Sequence, residues 1–162
     1  MMAGTPDIYS IDASALIHGW HRAYPPGNFP PVWEKLGQLI ANGHLLMCED
    51  ALIELERKDD DLYKWCKGRP GLVVEVDDAI QNKMTYLMGT YPKLVDTAKN
   101  KSGADPFVIA LAMAHNPTLT VITEEKGGTQ QKPKIPYVCN QEGIRQIDLL
   151  QLIRDLNWVI GV

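Results

Sequence analysis

The sequence lacks any apolar run approaching the roughly 18 residues that a membrane-spanning helix requires. Its first residues carry neither the basic flank nor the apolar stretch of a signal peptide. Cysteine is also scarce. The sequence has only Cys48, Cys66 and Cys139, which are widely spaced, odd in number and form no CxxC pair. These absences exclude a disulfide framework, and we expect reduced, mostly buried thiols in a cytoplasmic protein.

Positive charge is not in excess, since 20 acidic residues outnumber 16 basic ones and give a net charge of −4. This balance argues against a protein that binds nucleic acid through charge alone. It does not exclude a metal-dependent nuclease, because a bound cation reverses the local sign of an acidic site. The glycine-rich nucleotide-binding motifs GxGxxG and GxxxxGK are absent as well.

Short β-branched segments alternate along the chain with longer helical patterns. The predicted strands comprise residues 7–11, 44–47, 72–76, 119–123 and 145–147. The predicted helices comprise residues 13–21, 33–41, 50–58, 59–68, 77–88, 105–115 and 148–156, and the predicted loops include 23–31 and 124–136. We therefore predict a single α/β domain over residues 1–162, a three-layer α/β/α sandwich around a mainly parallel sheet of about four to five strands.

Acidic residues occur where a parallel sheet forms its sites, beyond the carboxyl ends of the strands. Asp12 ends the first predicted strand, and Glu124 follows Thr123 at the end of the fourth. Asp105 precedes Pro106, which disfavours the α conformation at Asp105 and predicts a helix N-cap there. Glu54 interrupts the apolar run LIEL within a helix.

Each acid also has a separate explanation that needs no shared site. These explanations are a turn before Ser14 for Asp12, an N-cap alone for Asp105, an ion pair with Lys58 for Glu54, and a solvated loop position beside Glu125 for Glu124. As a set, four acids converging on one cleft would repel one another unless a cation intervened. Magnesium prefers oxygen ligands and can activate water against a phosphate, so the set favours a metal site for phosphodiester chemistry.

Four segments resemble the PIN domain in order and spacing: IDASALI, ALIELERKDDDLYKW, KSGADPFVIALA and TVITEE. The chain is most similar to a PIN-like branch catalogued as a domain of unknown function, and the tail KPKIPYVCNQEGIRQIDLLQLIRDLNW continues the likeness. The resemblance covers residues 8–158, and ADPFVIALA and IDASALI are its most specific parts. PIN domains are usually metal-dependent ribonucleases, and many are the toxins of toxin–antitoxin pairs.

The resemblance implies that Asp12, Glu54, Asp105 and Glu124 are the catalytic acids and hold Mg²⁺ or Mn²⁺. Glutamate is longer than the aspartate usual at the last position, so contact between Glu124 and the metal, directly or through a water, stays open. The resemblance also implies that Ser14 and Thr123 orient carboxylates or waters beside the metal. The identity of the general base stays open.

Four lysines are candidates for contacts with the phosphate backbone of a substrate. Lys126, Lys132 and Lys134 surround the Gly127-Gly128 loop, and Lys101 precedes the Asp105 helix. A solvated, mobile loop explains the first three equally well. The predicted function is an endoribonuclease with an RNA substrate, an antitoxin partner and a homodimeric state. The alternative is a catalytically idle PIN-like module that binds RNA or a protein.

Overall fold

A computed structural model describes residues 7–58, 60–94 and 105–160 of the chain. The described residues contain five short strands: β1 (Tyr9–Ile11), β2 (Leu45–Cys48), β3 (Val73–Val74), β4 (Thr120–Ile122) and β5 (Gln146–Ile147). The helices are α1 (Ala13–His18), α2 (Pro30–Ala41), α3 (Glu49–Lys58), α4 (Asp60–Lys67), α5 (Asp78–Thr90), α6 (Asp105–Met113), α7 (Ile135–Glu142) and α8 (Leu149–Asp155). A π-helical turn, Gly19–Ala23, continues α1.

The strands form one all-parallel sheet in the order β3-β2-β1-β4-β5, with β1 at its centre. The chain first adds β2 and β3 on one side of β1, and then returns to add β4 and β5 on the other. The direction of the connections therefore reverses between β1 and β4. The carboxyl ends of two strands at such a reversal bound a crevice where α/β proteins bind ligands. We call this space the switch crevice.

Side chains of β1 alternate between two layers of helices, as the pleat of a strand requires. Ser10 Oγ donates a hydrogen bond of 2.9 Å to the carbonyl oxygen of Val108 in α6. Tyr9 points to the opposite face, where it lines a cavity with Leu39 of α2 and Leu156 after α8. Helix α6 is apolar on nearly every side and packs on β1, β2 and β4. The predicted three-layer α/β/α fold is confirmed.

Two helices carry proline in their first turn, where the sequence predicted loops. Helix α2 begins at Pro30, three residues before its predicted start, and α7 begins at Ile135 with Pro136 as its second residue. Proline is tolerated in the first turn because the amide hydrogen that it lacks has no partner there. Gly143, with φ of +70°, ends α7 in the left-handed conformation.

The edge strand β3 is shorter than its predicted range of 72–76. Val73 and Val74 pair with β2 alone, and Glu75 and Val76 beyond them are exposed. The second half of the predicted segment has only one neighbouring strand and little burial, and it forms no pairing with β2 beyond Val74.

The connection between β4 and α7 contains two glycines with different roles. Both are left-handed, with φ of +73° at Gly127 and +104° at Gly128. A Cβ atom at Gly128 would lie 2.8 Å from the amide nitrogen of Lys134 and 2.9 Å from Cβ of Tyr137. A Cβ atom at Gly127 would meet nothing within 4 Å. Gly128 therefore allows close packing of the loop on α7, whereas Gly127 supplies only its backbone conformation.

We predict that Gly128→Ala destabilises the protein more than Gly127→Ala does. The left-handed conformation alone costs about 1–2 kcal/mol for alanine, and the clash at position 128 adds about 1–3 kcal/mol. Urea denaturation of both variants measures the difference. Equal losses of stability in the two variants would contradict the packing of Gly128 against Lys134 and Tyr137.

Candidate metal centre

Asp12 lies at the carboxyl end of the central strand and borders the switch crevice. Its amide donates a hydrogen bond of 2.8 Å to the carbonyl oxygen of Ile122 in β4, so the strand pairing extends up to it. Its backbone is extended, and its side chain makes no capping bond to α1. Only 2% of the residue is exposed. Asp12 is therefore a buried carboxylate at a strand end, and not a solvated turn residue.

Two hydroxyl groups hold one oxygen of the Asp12 carboxylate. Ser14 Oγ donates to Asp12 Oδ2 at 2.6 Å, and Thr123 Oγ1 donates to the same oxygen at 2.9 Å. Each hydroxyl oxygen also accepts a backbone amide, from Glu124 at Ser14 and from Glu125 at Thr123, both at 3.1 Å. These bonds fix the direction of both hydroxyls. The structure thus places Ser14 and Thr123 against the first acid, where the sequence predicted them.

Asp105 and Glu125 complete an acidic cluster with Asp12. One carboxylate oxygen from each of the three lies within 4.8 Å of the others. Asp105 is the first described residue of α6, and its side chain shares a hydrogen bond with Glu125. Glu125 Oε1 also accepts the amide of Ile135, the first residue of α7, at 3.3 Å. The cluster is thereby attached to a strand end and to the starts of two helices.

Burial and mutual repulsion disfavour full ionisation of the acidic cluster. Burial, followed by the charge of Glu125, raises the pKa of Asp12 to about 7, although the Ser14 and Thr123 hydrogen bonds oppose the change. Burial, followed by the charges of Asp12 and Glu125, raises the pKa of Asp105 well above its usual range. Within the described ranges, no basic side chain forms an ion pair with these acids. The cluster therefore retains a proton, or requires a cation, near neutral pH.

Glu124, the predicted last acid, points away from the acidic cluster. Its Oε2 accepts the amide of Leu149 at the start of α8 at 3.0 Å, and its Oε1 lies 3.7 Å from His18 Nε2. Side chains alternate along extended chain, so Glu125 lies on the same side as Thr123, and Glu124 lies on the other. With Thr123 at the site, the same alternation applied to the sequence predicts that Glu125, and not Glu124, faces the acidic cluster.

Glu54 lies near the acidic cluster without joining it. Its Oε1 pairs with Lys58 Nζ at 3.0 Å, one helical turn along α3, as the alternative explanation predicted. Its negative charge still raises the pKa of both Asp12 and Asp105. Glu54 therefore contributes to the negative potential of the crevice, while the carboxylates close enough to share a metal ion are those of the other three acids.

The candidate phosphate-binding lysines follow the acidic cluster along the chain. Lys126 Nζ lies 3.6 Å from Asp148 Oδ2 and is largely exposed. Lys132 is exposed, and Lys134 is half-buried at the residue preceding α7. Lys101 lies outside the described residues. Of the histidines, His18 faces Glu124.

The fold and the site together define an α/β protein with a carboxylate cluster at the switch point of a parallel sheet. The chain belongs to the family described as a domain of unknown function, DUF4411, whose family model matches residues 9–160. That match includes every strand of the sheet and all three acids of the cluster. No curated protein matches the chain. None of the helices in the described ranges has the length and apolar character needed to cross a membrane.

We predict that the metal-free protein loses stability as the pH rises through neutrality. A buried acid with a raised pKa keeps its proton in the folded state at pH values where the unfolded chain has lost it. The stability that this proton contributes is complete below the unfolded pKa of about 4. It is lost as the pH rises through about 7, the pKa of folded Asp12. Denaturation in EDTA between about pH 5 and about pH 8 measures the slope.

Asp105→Asn should flatten this slope and stabilise the metal-free protein at the higher pH, because an amide can donate to Glu125 without adding charge. Asp77→Asn is a matched control outside the cluster. Asp77 caps α5 by accepting the amide of Ile80 at 2.8 Å, and asparagine caps a helix equally well. An identical slope in wild type and Asp105→Asn would show that the acids do not interact.

Proposed function

We propose that this protein is a metal-dependent endoribonuclease that hydrolyses phosphodiester bonds of RNA with Mg²⁺ or Mn²⁺ held by Asp12, Asp105 and Glu125. The observation that carries the proposal is the convergence of these three carboxylates in the switch crevice of a parallel sheet. The crevice is where ligands of α/β proteins bind. The strand ends and helix starts that border it hold the acids in fixed positions.

The donor atoms fit a hard divalent cation. All three are carboxylate oxygens, which magnesium and manganese prefer over nitrogen or sulfur ligands. Burial, followed by the charge of Glu125, raises the pKa of Asp12 to about 7, so a cation can replace the proton at little cost near neutral pH. The hydroxyls of Ser14 and Thr123 orient Asp12, as outer hydrogen bonds commonly orient metal ligands.

When bound, the ion supplies a lowered pKa for water and stabilisation of the charge on a phosphate. The protein residues have separate tasks. Ser14 and Thr123 fix one oxygen of Asp12 and so keep its carboxylate in a single orientation. In the metal-free site Asp105 shares a hydrogen bond with Glu125 that requires a proton between the two carboxylates, and the bound ion would take the place of that proton.

The resemblance to PIN domains supports RNA as the substrate class. It also supports three further parts of the proposal: a cytoplasmic location, a homodimer, and a role as the toxin of a toxin–antitoxin pair with a cognate antitoxin. Cys48, Cys66 and Cys139 are buried thiols, which suit a reducing compartment. Lys126 and Lys132, on the exposed loop after the acidic cluster, are proposed contacts for the RNA backbone.

Substitutions of Glu124 and Glu125 distinguish the acidic cluster from the four-acid site that the sequence alone predicted. We predict that Glu125→Gln lowers RNA cleavage in Mn²⁺ by at least about 100-fold, because losing a ligand exceeds the effect of losing its outer partner. Glu124→Gln should keep activity within about threefold, since a glutamine oxygen can still accept the Leu149 amide. Cleavage of a labelled RNA by purified protein, with and without Mn²⁺, gives both rates. Full activity of Glu125→Gln, or of Asp12→Asn, would refute the assignment.

Metal binding has a readout that does not depend on activity. At ten times its dissociation constant, Mn²⁺ should stabilise the wild-type protein and Glu124→Gln by about 1.4 kcal/mol. Glu125→Gln and Asp105→Asn should show a much smaller stabilisation, because each loses one ligand. Thermal denaturation in EDTA and in millimolar Mn²⁺ measures the difference. Metal binding without any cleavage of RNA would favour the catalytically idle module, and the absence of both would exclude the metal site.

A further inference from the structure

A second concave site lies where the C-terminal end of α5 meets the start of α7. Its volume is about 250 Å³, and its lining includes Tyr91, Pro92, Lys93, Gln130, Pro133 and Tyr137. We call it the tyrosine pocket. The volume falls below the range of about 300–1,000 Å³ that is typical of pockets for drug-sized ligands. A single flat ring system fits this space better than a folded peptide segment does.

The tyrosine pocket and the acidic cluster both contact the first turn of α7. Ile135, whose amide binds Glu125, lies two residues from Pro133 and two residues from Tyr137. This spacing is less than one helical turn, which rises about 5.4 Å. The loop from Glu125 also folds back onto this helix, because Gly128 packs against Lys134 and Tyr137. The pocket and the cluster are therefore built on the same helix start.

The walls of the pocket suit a planar heterocycle. Tyr91 and Tyr137 meet edge to face, with ring centroids 6.5 Å apart and an angle of 90° between the rings. Both rings line the pocket and are only partly buried, so they offer aromatic surface to a ligand. Pro92 and Pro133 add apolar surface without an amide donor, and exposed Gln130 offers both a donor and an acceptor.

Hydrogen bonds hold the first of these tyrosines in place before any ligand binds. Tyr91 donates its hydroxyl hydrogen to the carboxylate of Glu142, and Tyr86 donates to Glu142 Oε2 at 3.0 Å. Tyr91 therefore presents its ring in a set orientation. A preorganised ring loses little conformational entropy when a base stacks on it.

We propose that the tyrosine pocket binds an unpaired base of the RNA beside the phosphate that is cleaved. Stacking on aromatic rings, with an amide to meet the base edge, is how proteins recognise single-stranded RNA. A base inside a duplex is covered by its neighbours and paired at its edge, so it cannot enter. The substrate class is accordingly single-stranded RNA, and this inference rests on the proposed nuclease function.

Binding tests the pocket separately from cleavage. The probe is a fluorescein-labelled single-stranded oligoribonucleotide, titrated with Mg²⁺ present into protein that carries Asp12→Asn to prevent cleavage. Adding Tyr137→Ala should weaken binding about 10-fold, and adding Tyr137→Phe should change it less than about twofold, because stacking requires only the ring. Tyr63→Ala, a tyrosine on α4 that contacts Lys67 instead, is the matched control and should leave binding unchanged.

Gln130→Ala provides a second variant, because this exposed side chain can be removed without disturbing the fold. It should reduce the preference among oligoribonucleotides that differ at one base. Equal binding of a duplex of the same sequence, or unchanged affinity in both a folded Tyr137→Ala variant and Gln130→Ala, would overturn the pocket. Pocket-dependent binding of single strands, without Mn²⁺-dependent cleavage by wild type, would overturn the nuclease function and retain the pocket.

Discussion

The burial of a carboxylate at the end of the central strand is the constraint on which the rest of this structure depends. Asp12 is bonded through its backbone to β4 and through its side chain to residues that follow β1 and β4. A buried charge without partners is strongly unfavourable, so the chain must supply donors from both strands. Ser14 and Thr123 do so, and by doing so they fix how the two strand ends meet.

The acidic cluster also shows where stability and binding conflict. A protein selected for stability alone would place apolar or paired side chains around Asp12. Here Asp105 and Glu125 crowd the same space, and Glu54 adds a further negative charge nearby. Local rules are most often violated at functional sites, where a missing ligand completes the balance of charge. By this reasoning, the proposed ion would balance the negative charges of the acidic cluster and so stabilise the folded crevice.

Much of the fold could be predicted from the sequence because alternating strand and helix patterns determine the layer architecture. Asp12 and Asp105 were identifiable for local reasons, one at a strand end and the other before Pro106. The choice between Glu124 and Glu125 was harder, since adjacent acids differ only in which side of an extended chain they occupy. The sequence pattern does not predict α7, because proline is typical of loops as well as of helix starts. The tyrosine pocket depends on residues far apart in sequence, and no local pattern indicates it.

Glu124 and Glu125 together connect two helices that lie in different layers. Glu125 binds the first amide of α7, which packs with α6, and Glu124 binds the first amide of α8, whose Leu149 lies against Gly19. A one-residue insertion before this dipeptide would exchange the two side chains and misdirect both helices. Length variation among family members should therefore be confined to the exposed loop that follows, while the spacing from Thr123 to Glu125 stays invariant. Homologous sequences of different length can thus be aligned at this dipeptide.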